Sequence, residues 1–129
     1  EIIRRAVEAK ARIVEIDETE QNERKSLNFG HTIGHGIESA ANLSGLYHGE
    51  CVALGMLYFI TDPALRARTL EIMKKLNLPT QCDVDKDAVF AAMGHDKKGD
   101  GSRVTVVKVD RAGQYRFEPM TLGALRALL

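Results

Sequence analysis

The sequence predicts a mainly α-helical domain with a small C-terminal β-hairpin. Three observations carry this. Apolar side chains recur close to the helical period through residues 1–17, and the run from Val52 to Ile60 is apolar almost all round, the mark of a central buried helix. Near the C-terminus, valine-rich Arg103 to Val109 and alternating Gln114 to Glu118 flank Asp110-Arg111-Ala112-Gly113, which reads as two strands and a turn.

Taken in order, the first helix sets Ile2, Ile3, Ala6, Val7, Ala9, Ile13, Val14 and Ile16 against Arg4, Arg5, Glu8, Lys10, Arg12 and Glu15. Residues 17–23, Asp17-Glu18-Thr19-Glu20-Gln21-Asn22-Glu23, form a polar connection expected to be solvated. A second helix is expected from about His31 to Asn42, a turn over Leu43 to Tyr47, and a third helix opening near Ser44 or His48 and running through Ile60. Asp62-Pro63 supplies an N-cap and a proline at the first helical position, and the helix they open keeps its period to Leu76, before Asn77-Leu78-Pro79 ends it. A short helix from Lys86 to Met93 follows Asp83 and Asp85, and Thr121 caps a last one over Leu122 to Leu129.

A chain of 129 residues is one domain's worth, residues 1–129, with no repeat or linker to divide it. Its 18 basic and 18 acidic side chains cancel without forming blocks, so the overall field favours neither nucleic acid nor an anionic membrane as partner. Two cysteines, Cys51 and Cys82, lack metal-type spacing, and neither a signal peptide nor an apolar run of about 18 residues occurs, which points to a reducing cytoplasm. The chain opens at Glu1 in mid-helix pattern and reads as a piece of a longer protein.

Chemistry concentrates in Arg24-Lys25-Ser26-Leu27-Asn28-Phe29-Gly30-His31-Thr32-Ile33-Gly34-His35, answered by His48-Gly49-Glu50. Read as one helix, His31 and His35 are i,i+4 neighbours with Asn28 a turn earlier, so all three face one cavity able to hold a metal or an anion. His48 at the head of the next helix can converge on the same ion. A single histidine on an apolar face is more often a satisfied core residue, but three of the chain's four within this short span point to a ligand site. Gly30, Gly34 and Gly36 each weaken a helix by roughly 1 kcal/mol relative to alanine, which suits close backbone approach to a ligand or a second helix. Glu50 is placed either to orient an imidazole or simply to favour the helix dipole.

Gly94-His95-Asp96-Lys97-Lys98-Gly99-Asp100-Gly101 is a charged loop. Lys98 and Val107 stand where a calcium loop needs ligands, which excludes calcium; the paired lysines suit a phosphate, or only an exposed turn.

In Lys10-Ala11, Asp17-Glu18, Arg24, Leu27 to His35, Glu38, His48 to Met56 and Asp96-Lys97-Lys98, nearly the whole chain resembles the C-terminal domain of the 3-dehydroquinate synthase family of sugar phosphate cyclases. The resemblance implies the helical metal- and substrate-binding half of that fold. In it, residues matching His31 and His48 bind zinc, or another divalent metal such as cobalt, with a glutamate from farther upstream that has no counterpart here. It implies catalytic roles for Lys10, Arg24, Asn28 and His35, and substrate contacts from Lys10, Arg24, Leu27, Asn28, His31, His35, His48 and Lys97, the last preferred to Lys98. It further implies NAD held mainly by an N-terminal domain of the same protein, a small sugar phosphate as substrate, and often a homodimer. No G-x-G-x-x-G occurs, so NAD binding by this chain alone is not expected. Gly36 stands where an alanine is more usual, and the region after Met56 is shortened. The rivals are another sugar phosphate cyclase or metal-dependent polyol dehydrogenase, and a non-catalytic helical metal-binding module.

Overall fold

The computed structural model describes residues 1–41, 45–94 and 103–129. In chain order these form α1 (Ile2–Ile16), a 3-10 helix (Glu23–Asn28), α2 (His31–Ala40), α3 (His48–Met56), α4 (Pro63–Lys75), α5 (Lys86–Gly94), β1 (Arg103–Arg111), β2 (Gln114–Thr121) and α6 (Leu122–Arg126). The expected class, helices followed by a small antiparallel hairpin, is the one observed.

α1 is held locally by Arg4 between Glu1 and Glu8 and by Arg5 on Glu1, all at helix-neighbour spacing and all exposed, so each contributes only a few tenths of a kcal/mol. None of its residues is buried, and Ile2, Ile3, Val7 and Ile16 are more than half exposed. The helix stops at Asp17, whose backbone, at φ −139° and ψ 76°, leaves the helical region.

The expectation of a solvated connection over 17–23 is corrected at Asp17. Its residue is only 8% exposed, and its carboxylate accepts the backbone N–H groups of Gln21 (2.9 Å), Asn22 (2.7 Å) and Arg24 (3.1 Å). The Gln21 N–H above all, then those of Asn22 and Arg24, hold this carboxyl below its usual range despite burial. One acid thereby winds the chain into the 3-10 helix, an element the sequence reading lacked. The segment from Arg24 to His35 is also not one helix: Gly30, at φ 77°, breaks it between Asn28 and His31. A left-handed residue is cheap only for glycine, and a side chain here would also strike Val52 O and Met56 Cγ, both 2.6 Å from a Cβ.

α2 and α3 meet backbone to backbone. A Cβ at Gly55 would lie 2.1 Å from Gly30 O and 2.7 Å from Gly34 N. Gly36 faces α5 in the same way, where a Cβ would meet Met93 Cγ at 2.9 Å and Val89 O at 3.0 Å. Around this seam lie the buried side chains of Ile33, Ile37, Cys51, Leu54, Met73 and Val89.

α3 ends at Met56, four residues earlier than expected. The chain tightens through Tyr58 N on Gly55 O and Phe59 N on Met56 O, then leaves the helix. Val109 N donates to Phe59 O at 3.0 Å and Thr61 N donates to Val109 O at 3.1 Å, so Ile60 joins β1 as a parallel bridge. Tertiary pairing overrides an apolar pattern that helix and strand share. α4 begins where expected, its Asp62 cap accepting Leu65 N at 2.8 Å with Pro63 following. α2 ends at Ala40 rather than near Asn42, which with Leu43 and Ser44 lies outside the described residues, and α5 runs one residue past Met93.

The strands run farther than their sequence signals because pairing extends from Arg103 opposite Thr121 to Arg111 opposite Gln114, with an irregularity after Val109. Val106, Val107 and Met120 turn into the core, while Lys108 on Glu118, part-buried, and Arg116 on Asp110, exposed, both 2.8 Å, tie the two strands together. Thr121 caps α6 by accepting Ala124 N, but α6 closes at Arg126, short of the expected Leu129, in tight turns of Leu128 N on Leu125 O and Leu129 N on Arg126 O. No described helix is long and apolar enough to cross a membrane.

Candidate metal and substrate site

α2 spaces His31, His35 and Glu38 at i, i+4 and i+7, so all three occupy one helix face. α3 opens with His48, which follows Tyr47 at the N-cap. Because Gly30, Gly34 and Gly55 let the two helices touch, the three imidazoles close into a near-equilateral triangle. Ring centroids are 5.4 Å apart for His31 and His35, 5.5 Å for His31 and His48, and 5.5 Å for His35 and His48. One ring nitrogen from each lies within 4.8 Å of the others.

The three rings are not equivalent. His31 Nδ1 lies 3.2 Å from the Phe29 carbonyl oxygen, and His48 Nδ1 lies 3.0 Å from Glu38 Oε2. Carbonyl and carboxylate oxygens accept, so in a neutral imidazole each bond calls for the proton on Nδ1 and leaves the Nε2 lone pair free. His35 has no hydrogen-bond partner among the described residues, only the two neighbouring rings. Exposed and half-buried imidazoles with free lone pairs at this separation fit a divalent first-row metal such as zinc or cobalt, which takes neutral imidazole nitrogen.

Glu50, the acid the sequence offered for orienting an imidazole, is engaged elsewhere. It accepts Tyr47 N at 2.8 Å in a capping box, and Glu38 takes the place beside the ring. Sequence periodicity would have found Glu38, since it shares the helix face of His31 and His35.

His35 also borders a cleft of about 220 Å³ with Thr32, Ser39, Met93 and Val104. Asn28 lies on a neighbouring groove of about 490 Å³ with Glu20, Lys25, Arg103 and Phe117, and Val104 borders both. Its amide donates to Glu20 Oε1 at 2.7 Å, so the break at Gly30 sends Asn28 to the flank of the histidines and not to the next turn of their helix. Arg24 is half-buried and its guanidinium donates to Glu18 O, while Leu27 is half-buried in the same 3-10 helix. Lys10 is exposed on α1, beside an apolar depression formed with Val7, Ala11 and Val14. Lys97 and Lys98 lie outside the described residues.

A family model described as 3-dehydroquinate synthase C-terminal matches residues 1–99. Over 115 residues the chain is 44% identical to the 3-dehydroquinate synthase of Acetivibrio thermocellus, an alignment that covers 82% of this chain and 32% of that protein. It is 37% identical over 122 residues to that of Clostridium kluyveri, covering 88% and 34%. For Lactiplantibacillus plantarum the identity is 36% over 131 residues, covering 95% and 36%. The chain thus spans about a third of the length of these curated relatives. A solved 2-deoxy-scyllo-inosose synthase, complexed with carbaglucose-6-phosphate, NAD+ and Co2+, superposes with TM-score 0.71 at 22% identity, over 84% of this chain and 35% of that one, a likeness of fold.

Proposed function

We propose that this chain, which belongs to the 3-dehydroquinate synthase C-terminal family, is the metal- and substrate-binding half of a 3-dehydroquinate synthase. The whole protein would convert 3-deoxy-D-arabino-heptulosonate 7-phosphate to 3-dehydroquinate and phosphate, a step of aromatic amino acid biosynthesis, in the cytoplasm. The observation that carries this reading is the difference among the three imidazoles. Two are tautomer-fixed by acceptors at Nδ1, as metal ligands commonly are, and the third is left free to face a substrate.

His31 and His48 would hold zinc or cobalt, leaving coordination positions for a ligand from the rest of the protein and for substrate hydroxyls. When bound, the ion supplies Lewis-acid stabilisation of alkoxide character. His35 and Asn28, on adjoining surfaces, orient substrate hydroxyls and phosphate, with a loop lysine, Lys97, closing over the phosphate. Lys10 and Arg24 would fix the carboxylate, and Leu27 would line the site. Catalysis here is largely positioning, and the substrate's own phosphate would serve as the base in elimination, since these residues include no second obvious base.

NAD would be bound mainly by an N-terminal domain, because no glycine-rich phosphate loop occurs in this chain. The exposed Ile2, Ile3, Val7 and Ile16 on α1 support a partner surface over that helix. The test is turnover with NAD and divalent metal in the full polypeptide. His31→Ala and His48→Ala should abolish metal binding, and His35→Ala should keep the metal while kcat/KM falls by about 10²-fold or more. Metal loss in His35→Ala with retention in His48→Ala would overturn the assignment, as would turnover by the 129-residue chain alone. A substrate panel separates this reaction from those of other sugar phosphate cyclases and polyol dehydrogenases.

A further inference from the structure

We infer that Glu38 is a positioning residue that clamps His48 into its ligating tautomer, an inference that rests on the metal-site reading above. The geometry is specific. Glu38 Oε2 and His48 Nδ1 are 3.0 Å apart, joining the third turn of α2 to the first residue of α3. His31 needs no such partner, because its Nδ1 is held by the backbone carbonyl of Phe29, fixed by the turn that Gly30 makes. Apart from Glu38, His48 meets, among the described residues, only the rings of His31 and His35, each 5.5 Å away between centroids: it begins a helix, its side chain is 51% exposed, and its neighbour Gly49 has open space where a Cβ would be. Without Glu38 its ring would be free to rotate and to place the proton on either nitrogen.

The pair contributes little to stability, since Glu38 is 41% exposed and water screens the interaction. Its effect is on the metal. A carboxylate on Nδ1 selects the Nδ1–H form, aims Nε2 and raises its basicity, and such partners change metal affinity by roughly 10–100-fold. Glu50 does not substitute, because its carboxylate is tied to Tyr47 N.

The test has two readouts in the full polypeptide, Co2+ titration followed by its visible absorption and long-range ¹H–¹⁵N spectra of the metal-free protein with ¹⁵N-labelled histidines. Glu38→Ala is expected to raise the Co2+ Kd by about 10–100-fold and to release His48 from the Nδ1–H form. Glu38→Gln, whose amide oxygen still accepts from Nδ1–H, should rescue the tautomer and part of the affinity. Unchanged Co2+ affinity in Glu38→Ala, together with loss in His48→Ala, would overturn the role of Glu38 alone. If His48→Ala also bound Co2+ normally, the metal assignment would fail instead, and the spectra would still decide the clamp. An unaltered His48 tautomer in Glu38→Ala refutes it.

Discussion

Gly55→Ala should loosen the α2–α3 seam and displace the histidines together. The added methyl would lie 2.1 Å from Gly30 O and 2.7 Å from Gly34 N, against an ordinary carbon–oxygen approach of about 3.3 Å. Both obstacles are backbone, so no side chain can rotate away, and the helices must separate by about 1 Å. Overpacking of this kind costs about 3 kcal/mol, and alanine's better helix propensity returns about 1 kcal/mol, leaving a net loss near 2 kcal/mol. For a chain of this length that lowers Tm by about 6–10 °C. His48 lies two turns N-terminal to Gly55 on the same helix, so the shift should also weaken Co2+ binding by about tenfold or more. Gly49→Ala is the matched control: nothing lies within 4 Å of its Cβ, and it should raise stability by up to about 1 kcal/mol. Thermal melts and Co2+ titrations of the two variants test this. If Gly55→Ala melted as high as Gly49→Ala with unchanged metal affinity, the close contact would not govern the site.

Asp17→Asn should flatten the acid limb of the stability curve. Because the folded-state carboxyl lies below its ordinary value, it contributes stability that is present above about pH 4 and lost as pH falls through the folded value; melts between pH 7 and pH 2 would show the variant's smaller acid loss. Asp62→Ala should cost about 1 kcal/mol by removing the cap on Leu65 N, read from urea denaturation. Ile3→Ser, at a position 81% exposed, should change the stability of this chain by less than about 0.5 kcal/mol while weakening its association with a separately expressed N-terminal half, measured by calorimetry.

Much of the fold was legible because the signals are local. Asp62-Pro63 marked a helix start to the residue, and Asp110 to Gly113 marked a turn that closes over its last two residues, Ala112 and Gly113, since a cap and a tight turn are decided by a few neighbouring atoms. Ile60 was misread because an apolar residue satisfies helix and strand alike, and its choice depended on Val109, far along the chain. Asp17 looked like one acid among several, although an Asp at a helix C-terminus can gather nearby backbone N–H groups.

At the site, residue order alone supplied the histidines, the glycines between them and the shared helix face of His31 and His35, because i,i+4 spacing is a property of the helix. The convergence of His48 was expected from its place at the head of the next helix, but packing between helices turns Asn28 aside at Gly30 and sets Glu38 rather than Glu50 against the His48 ring. Those outcomes rest on how closely two helices approach and on which of two nearby carboxylates is claimed by a backbone N–H. Both are set by contacts between segments that residue spacing does not encode.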